Sequence, residues 1–169
     1  LKVLNNTVRA GVALPLYYSS GVFQQAVNLS STYNSGISKI RPEIETEDDF
    51  SFNYVSHRAI LINSRRRAYR QPMPTWGQRA DIVYAHEVTG VPISQFYVST
   101  DLALPSFRAS HYLLVQGEFL RQDIREGSIQ LSSPYRGARG FEDFIGKIQY
   151  SAAITYGFPI AYPDIGIGN

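Results

Sequence analysis

The segment KIQYSAAITYGFPI, residues 147–160, decides the expected fold, because its apolar and polar residues alternate along most of its length. One set of alternate positions is mostly aliphatic or aromatic: Ile148, Tyr150, Ala152, Ile154, Tyr156, Phe158 and Ile160. The other set contains Lys147, Gln149, Ser151, Thr155 and Gly157. Successive side chains of a β-strand point to opposite sides, so this pattern predicts a strand with one apolar face and one polar face.

Six further segments alternate in the same way, while no sustained helical period is found. They are residues 7–18, 23–34, 50–63, 79–87, 95–105 and 111–122. The segment 50–63 is the least regular, because Ser56 and Arg58 share a face with Tyr54 and Ile60. A bulge or a shifted register is an open alternative there. The pattern predicts an all-β, antiparallel fold of about seven or eight strands, without a separate second domain in residues 1–169.

The length of these segments bears on where the protein works. Most have about ten residues or more, whereas strands of soluble proteins usually have about five or six. A tilted strand needs about 9–11 residues to cross a bilayer, and aromatic residues gather at the two membrane interfaces. Residues that fit such an aromatic girdle are Tyr17, Tyr33, Trp76, Tyr84, Tyr112, Tyr150, Tyr156 and Tyr162. We therefore expect a segment of a transmembrane β-barrel in contact with outer-membrane lipid; a soluble all-β interaction domain is the alternative.

Connection lengths support the same expectation, because outer-membrane barrels alternate short periplasmic turns with longer outer loops. The hairpin order places residues 35–49, 88–94 and 123–146 outside, and residues 19–21, 64–77 and 106–110 on the periplasmic side. The two longest connections, 35–49 and 123–146, fall outside as expected. The intermediate length of 64–77 departs partly from the rule.

Composition excludes several classes of function. The net charge of +2 is too small to indicate a nucleic-acid partner, and no cysteine is present to form a disulfide or a thiolate metal site. His57, His86 and His111 lie in separate predicted strands without the spacing of a metal site. No nucleophile elbow, phosphate loop or dinucleotide fingerprint occurs. We expect no enzymatic activity and no cofactor, and we interpret the basic cluster at 64–70 as a contact with anionic lipid headgroups. The first residue, Leu1, suggests an excerpt or cleavage product of a longer chain.

The longest connection contains the loop SSPYRGARGFEDF, residues 132–144, which is followed by the strand 147–160. Arg139, Gly140 and Phe141, and then Phe158, Pro159 and Ile160, resemble two motifs of the Omp85 superfamily of outer-membrane barrels. The first motif lies on a loop that enters the barrel lumen, and the second ends the next strand near the periplasmic rim. The segment RQPMPTWGQRADIVYAH and the YPD ending are also similar to outer-membrane barrels of Bacteroidota.

The resemblance implies that the predicted strands belong to a larger barrel of about sixteen strands in the bacterial outer membrane. Such barrels take part in outer-membrane protein assembly or in translocation. Other envelope proteins, or missing parts of the same chain, would be the partners. Within the chain, Glu118 and Asp101 are candidate carboxylate partners for Arg139, since a charge inside a barrel needs a counter-charge or water. A solvated loop arginine stays open as an alternative, as does a structural or binding barrel without transport activity.

Overall fold

A computed structural model of the chain describes residues 2–41, 48–66, 76–89, 93–107, 111–123 and 146–158. Seven strands form one antiparallel sheet in which every strand pairs with its neighbour in the chain. The strands are β1 (Lys2–Ser20), β2 (Phe23–Arg41), β3 (Asp48–Arg65), β4 (Gly77–Glu87), β5 (Ser94–Pro105), β6 (Tyr112–Gln122) and β7 (Ile148–Gly157). The all-β, antiparallel prediction is confirmed. Among the described residues, no helix is long and apolar enough to span a membrane.

All seven predicted segments are strands, and the first three are considerably longer than their alternating stretches. β2 and β3 remain paired as far as Ile40 and Asp48. The long outer connection predicted at 35–49 is therefore reduced to residues 42–47. Alternation detects a strand only where its two faces meet different surroundings, whereas backbone pairing continues beyond that point.

The register of β3 is continuous on both sides, so the alternative of a bulge at this strand is wrong. On one side the pairs run from Phe23–Arg65 to Ile40–Asp48, and on the other from Tyr54–Glu87 to Ser64–Gly77. Arg58 lies on the same face as Tyr54 and Ile60 because all three belong to the polar face of the sheet. The mixed composition of that face made the segment look irregular.

Cross-strand pairing brings the apolar sets of all seven strands to one side, called here the apolar face. One row across this face runs through Leu14, Leu29, Ala59, Ile82, Val98, Phe119 and Tyr150. The neighbouring row, on the opposite side or polar face, runs through Pro15, Asn28, Ile60, Asp81, Ser99, Glu118 and Ser151. We call the end of the sheet where β4 leads into β5 the upper end.

Burial is the reverse of that in a water-soluble sheet. On the polar face, Leu120 is 0% exposed and Asp81 is 8% exposed. On the apolar face, Val12 is 76% exposed and Ile154 is 73% exposed. Side chains of the polar face shield one another, which is the distribution expected for a sheet curved around that face.

A glycine near the lower end of β7 allows an aromatic ring to lie close to the backbone. Gly157 pairs with Tyr112, and a Cβ atom built on Gly157 would overlap the Tyr112 ring. Aromatic side chains that cover a glycine of a neighbouring strand help to pin the register at that point. The contact therefore ties β6 to β7 at the lower end of the sheet.

We expect Gly157→Val to lower the free energy of unfolding by about 1–2 kcal/mol, because the Tyr112 ring must move. Urea titration of the purified protein, followed by circular dichroism, would measure the change. Ala153→Val is the matched control, since Ala153 lies on the same strand and face and is exposed. In a Tyr112→Ala background, Gly157→Val should lower the free energy of unfolding by much less, because no ring has to move. Equal losses at 153 and 157 would contradict the proposed contact.

Candidate functional site

An ion pair between β3 and β4 lies at the centre of the polar face. Arg58 donates from Nε to Oδ1 of Asp81 at 2.8 Å and from Nη2 to Oδ2 of the same carboxylate. The Asp81 side chain is 12% exposed, whereas that of Arg58 is 48% exposed. A guanidinium that binds both oxygens compensates for the desolvation of the carboxylate. Arg79 adds a looser contact, with its Nη2 atom 4.0 Å from Asp81 Oδ2.

The two carboxylates predicted as partners of Arg139 both lie on the polar face. Asp101 of β5 accepts a hydrogen bond from Nε2 of Gln116 at 2.9 Å. Glu118 of β6 accepts from the Tyr97 hydroxyl at 3.2 Å and from the Ser151 hydroxyl at 3.5 Å. Each carboxylate is therefore held by hydrogen bonds to neighbouring strands.

The lumen-loop motif itself, Arg139, Gly140 and Phe141, lies outside the described residues, as do Pro159 and Ile160 of the strand-end signature. The pairing of Arg139 with Glu118 or Asp101 therefore stays a prediction. Phe158 is described: it follows β7 directly and is exposed beside the rings of Tyr156 and His111.

Further polar contacts continue along the same face toward the upper end. The Arg9 Nε donates to Asn34 Oδ1 at 2.8 Å, and the buried Gln95 amide donates to Gln122 at 3.2 Å. Between these contacts and the central ion pair lies a polar groove of about 460 Å³. Its lining includes Arg9, Asn34, Tyr54, Arg58, Asp81 and Tyr97. Such a surface suits water or polar solutes, because hydrogen-bonding groups form most of the lining, with Val83 and Ala85 among them.

Aromatic rings on the apolar face fall into two bands, one toward each end of the strands. The upper belt contains Tyr33, His57, Tyr84, His86, Phe96, Phe119 and Tyr150. The lower belt contains Tyr18, Phe23, Trp76, His111, Tyr156 and Phe158. Within the lower belt, the Phe23 and Trp76 rings meet edge to face at 5.5 Å, and His111 Nδ1 forms a hydrogen bond with the Tyr156 hydroxyl.

Mostly aliphatic and small residues separate the two belts, with Gln25, Asn63 and Gln78 close to the lower one. No Asp, Glu, Lys or Arg stands between the belts at the described apolar-face positions. Typical members are Leu16, Val27, Leu61, Ala80, Leu102, Val115 and Ile154. On β7 the belts are separated by the step from Tyr150 to Tyr156, roughly 20 Å along the strand. From Tyr84 to Trp76 on β4 the separation is about 26 Å. Strands of outer-membrane barrels tilt by about 35–45°, so these lengths along the strand correspond to heights of about 14–21 Å, somewhat less than the apolar band of about 25 Å.

Two of the aromatic residues expected in the girdle lie on the other face. Tyr17 pairs with Ala26 and Tyr112 pairs with Gly157, both of which are polar-face positions. Tyr162 lies outside the described residues. Proximity to a strand end was the signal used for all of them, and that signal does not distinguish the two faces. Parity along the strand does, because alternate residues point to opposite sides.

The Arg58–Asp81 pair was not found from the sequence. Its partners are 23 positions apart, and only the register between β3 and β4 brings them together. In the residues for which the structure gives positions, no group of three or more His, Cys, Asp or Glu side chains could hold a metal ion.

No family model matches the chain, and no match was found among curated proteins or solved structures.

We expect Arg58→Ala to destabilise the protein by about 1–3 kcal/mol, because it leaves the shielded Asp81 carboxylate without its bidentate partner. Half of the Arg58 side chain is solvated, which places the effect toward the lower end of this range. Chemical denaturation of Arg58→Ala, Asp81→Ala and the double variant would give the coupling free energy. Arg79→Ala is the control, with an expected loss below about 0.5 kcal/mol. If the loss of stability in the double variant equalled the sum of the two single losses, the pair would make no contribution of its own.

Proposed function

We propose that this chain forms part of the wall of a bacterial outer-membrane β-barrel, with the apolar face toward lipid and the polar face toward the lumen. The observation that carries the proposal is the exposed apolar face bounded by two aromatic belts. A bilayer supplies hydrocarbon at the level of the aliphatic residues and an interface at the level of each belt.

The free energy of hydration supports a membrane rather than water as the surroundings of the apolar face. Each large aliphatic or aromatic side chain left in water forgoes about 1.5–3 kcal/mol relative to full burial. A soluble β-sheet covers such a face with a second layer of helices or strands. The described residues form one sheet and provide no second layer. Lipid would cover the face without one.

The edges of the sheet support a barrel larger than the described part. The outer edges of β1 and β7 have no strand partner among the described residues. Unpaired backbone groups are strongly unfavourable within a bilayer, where no water is available to bind them. Further strands, from the rest of the protein or from a partner, would complete the wall.

The narrower role that we propose is that of an Omp85-like barrel, which assists assembly or translocation of other molecules without making or breaking covalent bonds. Its support is the order of Arg139–Phe141, strand β7 and Phe158–Ile160 in the sequence. The second candidate is a structural or binding barrel in an envelope complex. The mutual hydrogen bonding of Tyr97, Glu118 and Ser151 favours it, because these side chains hold the wall together.

The orientation of the two faces can be tested at adjacent positions of β7, because the chain contains no natural cysteine. Ile154→Cys lies on the apolar face and Ala153→Cys on the polar face, and both positions are exposed. In lipid vesicles, we expect a fluorophore at 154 to be quenched by brominated lipid. The thiol at 153 should instead react with a water-soluble maleimide. Equal accessibility of both thiols to water, or a monodisperse protein without detergent, would refute the membrane orientation.

The assembly role can be tested with Arg139→Ala in the full-length protein. We expect a loss of about tenfold in the rate at which a reporter barrel inserts into vesicles, the size expected when a charged side chain loses its partner. Arg136→Ala is the control, since Arg136 lies in the same loop outside the motif. If both variants retain full insertion activity, the structural or binding barrel becomes the better description.

A further inference from the structure

The upper belt contains a pair of histidines, an unusual residue type for a lipid-facing surface. The rings of His57 on β3 and His86 on β4 are stacked, with centroids 5.7 Å apart and an angle of 21° between their planes. The Tyr84 ring lies 5.4 Å from that of His86. Three rings with polar atoms therefore meet at one place on the apolar face.

One polar atom of this group has no partner. The Nδ1 atom of His86 is buried and forms no hydrogen bond in the structure. Its cross-strand neighbours are Val55 and Ser94. A buried polar atom without a partner is costly, so a ligand that reached this nitrogen when the ring turned toward it would bind with an advantage.

A groove of about 430 Å³ begins at His57, against which the His86 ring is stacked, and extends across β1 to β4 on the apolar face. The small side chains of Ser31 and Ala59 leave the depression, and larger apolar side chains form its walls. Its lining includes Val12, Leu14, Leu29, Ala59, Ile82, His57 and Tyr84. The groove is thus apolar over most of its length and carries donor groups at its upper end.

The charges around the groove favour an anion at the polar end. No carboxylate occupies an apolar-face position between the belts on any of the described strands. The elements next to the pair present Ser31 and Tyr33 from β2, Tyr84 from β4, and Ser94 and Phe96 from β5. Each imidazole ring can donate an N–H, and hydrogen bonds to an ionised group are about twice as strong as neutral ones.

We propose that this groove binds a phospholipid, with an acyl chain against Leu14, Leu29 and Ile82 and the phosphate against His57 and His86. The proposal rests on the proposed membrane location of the apolar face. The upper belt lies at the level where acyl chains give way to headgroups, so both parts of one lipid reach their matching surfaces. The histidine pair thereby converts a general lipid contact into a site selective for phosphate.

Native mass spectrometry of the full-length protein in detergent would test this with three probes. Dioleoyl phosphatidylglycerol carries both chain and phosphate, dioleoylglycerol carries the same chains without phosphate, and inorganic phosphate carries no chain. We expect the phospholipid to bind at least about tenfold more tightly than either partial probe, since each lacks one set of contacts.

Substitutions separate the two halves of the site. His57→Gln and His86→Gln should each weaken the binding of phosphatidylglycerol about tenfold, the size expected for losing a hydrogen bond to a charged group. The binding of dioleoylglycerol should be unchanged. Ala59→Leu should fill the groove and weaken the binding of both lipids. His111→Gln is the control, because His111 lies in the lower belt.

Equal binding of dioleoylglycerol and phosphatidylglycerol would overturn the phosphate contact. Tight binding of inorganic phosphate alone would overturn the lipid as the ligand. Unchanged phosphatidylglycerol binding in both histidine variants would overturn the site. The cysteine test at 153 and 154 is independent of these outcomes. A protein that inserts into vesicles but shows no lipid preference refutes this inference alone, whereas a water-exposed residue 154 refutes the proposed function as well.

Discussion

Each cross-strand pair in this sheet determines which face its two side chains occupy, so both faces depend on a register that stays continuous from β1 to β7. A shift of one residue in any strand would exchange its apolar and polar sets. In β3 such a shift would place Arg58 among aliphatic side chains and separate it from Asp81. The ion pair and the apolar rows therefore support the same register from opposite sides of the sheet.

The two faces also divide the chemistry of the protein. The described carboxylates of the strand interiors, Asp81, Asp101 and Glu118, lie on the polar face, where arginine, amide and hydroxyl groups bind them. The apolar face carries its polar atoms in the belts, in a few small residues and in the row of Gln25, Asn63 and Gln78 near the lower belt. In the membrane location that we propose, hydrocarbon would cover one side of this single-layered sheet and water the other.

Much of the fold could be predicted from the sequence, because period-two alternation is a local property. The apolar sets of 7–18, 23–34, 79–87, 95–105, 111–122 and 147–160 were assigned to single faces, and the register places them together. Segment 50–63 was harder, since His57 lies on its apolar face while Ile60 lies on its polar face. The polar contacts could not be predicted, because Arg58 with Asp81, and Tyr97 with Glu118, depend on pairing between strands distant in the chain. Strand-end aromatics were identified, but Tyr17 and Tyr112 show that chain position does not determine the face.

Strand direction places a condition on how the wall can close. Neighbouring strands alternate in direction, so β1 and β7, the first and last of an odd number, run the same way. Direct pairing of β1 with β7 would therefore be parallel, unlike every other pair in the sheet. It would also join a strand of 19 residues to one of 10, and leave much of β1 without a partner. A closed antiparallel barrel consequently needs an odd number of additional strands, whether they come from the same protein or from another.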